Sequence, residues 1–265
     1  MQNNELWDVN QPMVDNYLQA CVEFANSDEK FAKFKADSRY TPVLEHLDEN
    51  DANIYFSEFK CKELLNVSRL KKIKENDIHG SPLLINHSEL GVISPTTIRY
   101  IKNSLDIFAT FGSDLNFNSV LEIGGGYGGL CKVFSAFSKF KEYFIVDFPE
   151  VNHLSEKYLS KFKELKNKVK HISATDLKGV ENIDLVISNY AYSECSLAVQ
   201  EAYYNMFIRN SKHFYMVYNN FTENNMNSQV FMDMASKDFE IQYETELRPP
   251  HTNHIIYGIK IKNEN

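Results

Sequence analysis

The residues best placed to do chemistry lie near the middle of the chain, in Val120-Leu121-Glu122-Ile123-Gly124-Gly125-Gly126-Tyr127-Gly128-Gly129. An apolar strand running into a glycine cluster lets the backbone turn sharply and approach a ligand without a β-carbon in the way. The helix that follows offers unpaired N–H groups. This is the pattern of a nucleotide-cofactor loop. The spacing of Gly124, Gly126 and Gly129 also fits the G-x-G-x-x-G of dinucleotide enzymes, so glycines alone leave an NAD(P)-dependent oxidoreductase open.

Two acids speak to the ligand. Glu122 stands two residues before Gly124. A carboxylate there repels a pyrophosphate and anchors, through water, a ligand that carries an ammonium group. S-adenosylmethionine has the ammonium and no phosphate. Asp147 ends the next strand, 23 positions after Gly124, near the spacing of about 20 expected for an acid that accepts from ribose hydroxyls. Both cofactor types share that second feature.

Three later segments offer a base and an acceptor site. Methyl transfer to an alcohol is an in-line displacement in which alignment contributes much of the catalysis, but the hydroxyl must still lose its proton. His251 is the first choice of base, since an imidazole titrates near neutrality. Glu194 is the second, or an orienting partner; its plain alternative is an acid in a first helical turn. Asn189 and Tyr190 are placed to hold the acceptor or the methionine end of the cofactor. Tyr192 and Tyr218 are candidates to stack on a sugar ring, with core packing as the alternative. His254 is either a substrate contact or structural. Arg99 is a candidate partner for the cofactor carboxylate or for an anionic substrate group, against the simpler reading of a solvated arginine. His251, His254, Glu194 and Asp184 show no metal-ligand spacing, so no metal is expected.

The elements that must position these groups form an α/β pattern from Asn118 onward. Strands are predicted at Val120–Ile123, Tyr143–Asp147, Val169–Ile172, Ile183–Ser188, Phe214–Tyr218, Phe239–Leu247 and Ile255–Ile261. Helices are expected at Leu130–Phe137, Val151–Leu165, Leu197–Ile208 and Gln229–Ser236. This is a doubly wound, mostly parallel seven-stranded sheet with an antiparallel last strand, whose ligands gather beyond the carboxyl ends of the strands. Val14 to Phe111 reads as helical, with Gly80 to Gly91 as a loop. Its clearest helix starts at the N-cap Ser94 and Pro95 and carries Ile98, Ile101, Leu105 and Phe108 on one face. The division expected is a helical lid and substrate region over 1–115 and a cofactor-binding catalytic domain over 116–265.

At Glu122-Ile123-Gly124-Gly125-Gly126-Tyr127-Gly128, Ile145-Val146-Asp147-Phe148-Pro149-Glu150 and Asp184-Leu185-Val186-Ile187-Ser188-Asn189-Tyr190-Ala191-Tyr192-Ser193-Glu194, the chain resembles the class I S-adenosylmethionine-dependent methyltransferases. More narrowly, it is similar to a bacterial family of sugar O-methyltransferases, a likeness that extends upstream to Ser94-Pro95-Thr96-Thr97-Ile98-Arg99-Tyr100. The resemblance implies a Rossmann-like methyltransferase fold. It also implies that Gly124, Gly126 and Gly128 cradle the methionine portion, that Asp147 holds the ribose, and that Phe148 lies against adenine. Asp176 would accept from the adenine amino group; an N-cap on a short helix reads it equally well. The acceptor implied is a hydroxyl on a nucleotide-linked sugar or surface-polysaccharide unit.

Bulk properties agree with such an enzyme. With 43% hydrophobic and 24% charged residues the chain can build a packed core, and a formal charge of −8 disfavours nucleic acid as partner. Cys21, Cys61, Cys131 and Cys195 are too scattered for zinc or redox motifs and read as reduced thiols in the cytoplasm. Met1 to Pro12 lacks the features of a secretory signal, and no stretch is apolar enough to insert in a membrane. A homo-oligomer is compatible with this reading. Two rivals stand: the oxidoreductase above, and a noncatalytic partner subunit that keeps the methyltransferase fold.

Overall fold

The computed structural model describes residues 11–112, 116–220 and 226–261. All but the last two residues of Met1 to Pro12, read as lacking a secretory signal, and the boundary at residue 115 lie outside the described residues.

The amino-terminal part holds α1 (Gln11–Asn26), α2 (Asp28–Phe31), α3 (Glu49–Ser57) and α4 (Val67–Lys74), then β1 (Ile85–His87), β2 (Gly91–Ile93) and α5 (Pro95–Phe111). β1 and β2 form an antiparallel hairpin where the sequence suggested only a loop. At three residues per strand they are too short for the period-2 pattern that betrays longer strands. α5 starts at Pro95 as expected, but Ser94 makes no side-chain cap. The sequence-distant Asp77 ties down this end instead, accepting from Ser94 N at 2.9 Å and from the hydroxyl of Thr97 at 2.6 Å, without capping the first-turn amides. Ile98, Ile101, Leu105 and Phe108 are all buried, each removal from water being worth about 1.5–3 kcal/mol. The polar face of α5 is buried too, with Lys102 and Asp106 paired at 2.7 Å.

The remaining elements are β3 (Ser119–Ile123), α6 (Gly129–Phe134), β4 (Glu142–Asp147), α7 (Pro149–Leu159), β5 (Val169–Ser173), β6 (Leu185–Asn189), α8 (Ala191–Glu194), α9 (Leu197–Tyr203), β7 (His213–Tyr218), α10 (Ser228–Ala235), β8 (Phe239–Thr245) and β9 (His254–Lys260). The seven expected strands are therefore present, their ends shifted by one or two residues. The sheet order is β5-β4-β3-β6-β7-β9-β8. β9 runs antiparallel to both β7 and β8, while the other pairings are parallel.

This order reverses between β3 and β6, the switch point at which open α/β sheets bind ligands. The register makes the site. Ile123 pairs with Val146 on one side and with Ser188 on the other, so the next residues along, Gly124, Asp147 and Asn189, emerge level at the carboxyl edge. α1 packs along α7, and α5 against α3 and α6. One hydrophobic core thus runs continuously from Val14 on α1 to Tyr257 on β9. No described helix is long and apolar enough to cross a membrane.

Candidate active site

A cavity of about 290 Å³ opens at the switch point. Its floor is Glu122, Gly124, Gly125, Gly126 and Asp147; its far wall is Asn189, Tyr190, Glu194 and Asn219. The amino-terminal region closes the near side with Tyr17, Leu44, His46, Arg99 and Tyr100, and the β8–β9 connection adds Arg248, Pro250 and Asn253. A narrow apolar slot shares Gly124, Asp147 and Ala191 with this cavity and continues to Phe148, Ala174 and Cys195.

Gly124 and Gly126 have φ of +74° and +55°, a left-handed backbone that side chains resist. A β-carbon on Gly124 would stand 2.0 Å from the Cβ of Ala191, so the turn and the chain after β6 touch with no room between them. Gly126 N donates to Asp147 Oδ2 at 2.9 Å, and Phe148 N to Oδ1 at 2.8 Å. Burial nevertheless pushes the Asp147 pKa up to about 7 against those two hydrogen bonds. Each oxygen keeps a free lone pair for a hydroxyl.

Glu122 is fully buried. Burial raises its pKa to about 8, while the phenol of Tyr143, donating at 2.8 Å to Oε2, opposes the rise. In the empty cleft at pH 7 it is therefore mostly neutral, and the standing repulsion of a diphosphate expected from the sequence is weak. An arriving ammonium would favour the carboxylate, and an anion would drive it further toward the acid.

Glu194 reaches the cavity with Oε1 accepting from Asn219 Nδ2 at 2.7 Å, and burial holds its pKa above the ordinary carboxylate range. Asn189 is aimed by Asn103 of α5, which donates to its Oδ1 at 2.9 Å. Tyr190 has φ of 68° and ψ of −41°, a strained conformation for a side-chain-bearing residue, of the kind held in place at functional sites. Its phenol donates to Glu246 Oε1 at 2.5 Å, where Tyr55 also donates at 3.1 Å. His46 sits at the rim; partial desolvation, then the guanidiniums of Arg99 and Arg248, lower its pKa to about 4, with Asp51 opposing.

No protein-family model matches the chain, and no curated protein matches it. Solved structures with a similar arrangement include N-methyltransferase NodS from Bradyrhizobium japonicum, in complex with S-adenosyl-L-homocysteine, at 9% identity and a TM-score of 0.49 over 62% of this chain and 86% of that one. The pyocyanin biosynthetic protein PhzM is similar at 10% identity and a TM-score of 0.44, over 63% of this chain and 58% of that one. TrmK of M. capricolum, in complex with S-adenosylhomocysteine, is similar at 16% identity and a TM-score of 0.42, over 57% of this chain and 66% of that one. These likenesses carry no argument about activity, which rests on the cleft itself.

Several expected site residues fall elsewhere. His251 is exposed on the β8–β9 connection and does not line the cavity, although that loop reaches the ligand side as expected and delivers Arg248 and Asn253 in its place. His254 is structural: its Nδ1 pairs with Ser228 Oγ at 2.7 Å and its ring meets Tyr243. Tyr192 and Tyr218 are core residues, their hydroxyls donating to the carbonyls of Gln200 and Met226. Asp176 is exposed, pairs loosely with Lys178 at 3.7 Å, and is followed by no helix, so neither of its expected roles is met. Gly128 precedes α6 and abuts Leu159, a packing position away from the cavity.

Glu122, Gly124, Gly126, Asp147, Asn189, Arg99, Tyr190 and Glu194 are brought together around the cavity, and Phe148 around the slot. Sequence reasoning missed Leu44, His46, Glu246 and Arg248. Only Arg248 had a signal, its place in the connection already assigned to the ligand side.

Proposed function

We propose that the chain is an S-adenosylmethionine-dependent O-methyltransferase acting on a sugar hydroxyl. The observation that carries this is the donor set at the switch point: a glycine turn flanked by two buried acids, Glu122 and Asp147, and opening into an apolar slot. That set suits an ammonium and a ribose diol in sequence. When bound, the cofactor supplies an electrophilic methyl group on a good leaving group.

The residues of this chain do the rest. Glu122 takes the ammonium and ionises as it does so. Asp147 accepts from the ribose hydroxyls, and Phe148 lies against the adenine, as the resemblance implies. Asn189, fixed by Asn103, orients the ligand near the far wall. Glu194 removes the acceptor proton, its raised pKa bringing it toward the range in which a carboxylate is an effective base. The amides of Asn219 and Asn253 match a polyhydroxylated acceptor. Residues 1–115 act as lid and substrate platform over the domain 116–265, with Leu44 lying on Gly126. The four free cysteines suit a reducing, cytoplasmic setting.

Calorimetric titration of the full chain with S-adenosylhomocysteine and with NAD⁺ tests the cofactor, with binding of the first alone expected. Preferential binding of the dinucleotide overturns the reading. Turnover is then sought across free, nucleotide-linked and oligomeric sugars. Cofactor binding with no methylation of any of them would favour a noncatalytic partner subunit.

A further inference from the structure

The geometry points to an anion subsite in the cleft, built from Arg99 and Arg248 with His46 beside them, that holds a phosphate or carboxylate on the acceptor. This deepens the proposed function and rests on it for the identity of the ligand as the acceptor.

Arg99 is 4% exposed, yet among the described residues its Nε has no hydrogen-bond partner and its one hydrogen bond runs from Nη2 to the carbonyl of Leu44 at 3.3 Å. Among the described residues it has no carboxylate within ion-pair distance. A buried guanidinium with five donors and so little to donate to is costly, and it lines the cavity. Arg248 reaches the same cavity from the β8–β9 connection; its Nε donates to Asp51 Oδ1 at 2.6 Å. Both guanidiniums act on the same imidazole, His46, and on the same phenols, Tyr55 and Tyr190. Arg99 and Arg248 line the same cavity as His46 and Tyr190.

The nearby acids leave Arg99 without an ion-pair partner among the described residues. Glu45 is pushed toward its neutral form by burial, and Asp51 already serves Arg248. The carboxyl of Glu246 is taken by Tyr55, Tyr190 and Asn253. In a chain of net charge −8, Arg99 is thus a buried cation without an acid partner that lines the cavity.

The cofactor does not account for it. S-adenosylmethionine carries a sulfonium, an ammonium and one carboxylate, so it brings net positive charge into a cleft that already holds two guanidiniums. Its one carboxylate serves at most one guanidinium, so a further anion arrives with the second ligand. Two guanidinium forks on one oxyanion match the planar, bidentate geometry that arginine offers to phosphate and carboxylate.

The test titrates the full chain, saturated with S-adenosylhomocysteine, with glucose 1-phosphate, glucuronate and glucose. At least one anionic sugar should bind, glucose should not, and the anion that binds identifies the group recognised. Arg248→Gln and Arg99→Lys should each weaken that binding by at least about tenfold, with the affinity of Arg248→Gln for S-adenosylhomocysteine within about twofold of wild type. Arg248→Gln, at a partly exposed position, keeps the test decisive if the buried variant fails to fold. Equal binding of all three sugars, binding of none, or loss confined to S-adenosylhomocysteine would overturn the subsite. Anion binding by a chain that ignores S-adenosylhomocysteine would leave the subsite standing and remove the methyltransferase reading.

Discussion

The phenol oxygen of Tyr190 lies 2.5 Å from Oε1 of Glu246, although 56 residues separate them. That bond, with the one from Tyr190 N to the carbonyl of Val217 at 2.8 Å, holds the strained turn after β6 against the cavity. Tyr190→Phe removes one donor and should cost about 1–3 kcal/mol. Glu246→Ala should cost more, because it strands Tyr55, Tyr190 and Asn253 together. Urea unfolding midpoints rank the two; the reverse order would show that Glu246 does not organise this wall.

Two glycine substitutions should act with opposite sign. Gly124→Ala places a methyl 2.0 Å from the Cβ of Ala191 at a φ of +74°. It should destabilise the protein by more than about 1 kcal/mol and abolish binding of S-adenosylhomocysteine. A β-carbon on Gly179 meets nothing within 4 Å, so Gly179→Ala should stabilise by about 0.4–1 kcal/mol through the unfolded chain. Thermal melts of the pair, read beside calorimetry, check both.

Stability should fall as pH rises from about 6.5 to 8. Glu122 goes from an ordinary 4.5 to about 8 and Asp147 from 3.8 to about 7 on folding. Across that interval the folded state binds more protons than the unfolded one, so raising the pH favours unfolding. His46 and His171, both lowered to about 4, act the other way, but only between about 4 and 6.5, so they are spent above that. Glu122 alone contributes at most about 1.4 kcal/mol per pH unit. Denaturation of Glu122→Gln at pH 6.5 and 8 should show most of the fall gone; an unchanged slope would mean that the buried carboxyl is already ionised.

Proton removal is assigned to Glu194 and withheld from His251. Glu194→Gln should lower turnover by roughly 10²–10⁴ while affinity for S-adenosylhomocysteine holds. The wild-type rate should rise with pH through a pKa above the ordinary carboxylate range, since burial raises that group. His251→Ala, at an exposed position outside the cavity, should retain activity. Loss of turnover in the histidine variant, with Glu194→Gln active, would exchange the two roles.

Much of this architecture could be read from local pattern. Apolar runs such as Val120–Ile123 and Tyr143–Asp147 announce buried parallel strands because both faces of such strands are covered. Once Gly124 follows one strand and Asp147 ends its neighbour, parallel pairing brings them level. Glu122, Gly124, Asp147 and Asn189 were legible for that reason. The β1–β2 hairpin was not, because three-residue strands leave no periodicity, and Ser94 looked like a cap because the competing Asp77 lies 17 residues away.

The sequence by itself determined the order of elements, the ligand edge of the sheet and the acids at its switch point, since all of these follow from periodicity and from the chirality of βαβ crossovers. Only the tertiary structure decided which side chains face the cavity. Tyr192 turns into the core while its near neighbour Tyr190 faces the cavity; His251 turns outward while Arg248 turns in; and Leu44, His46 and Glu246 arrive from remote segments. Loop side chains have no repeating geometry to betray their direction. Their orientation, and the ionisation of Glu122, is set by long-range packing and by the water that packing excludes.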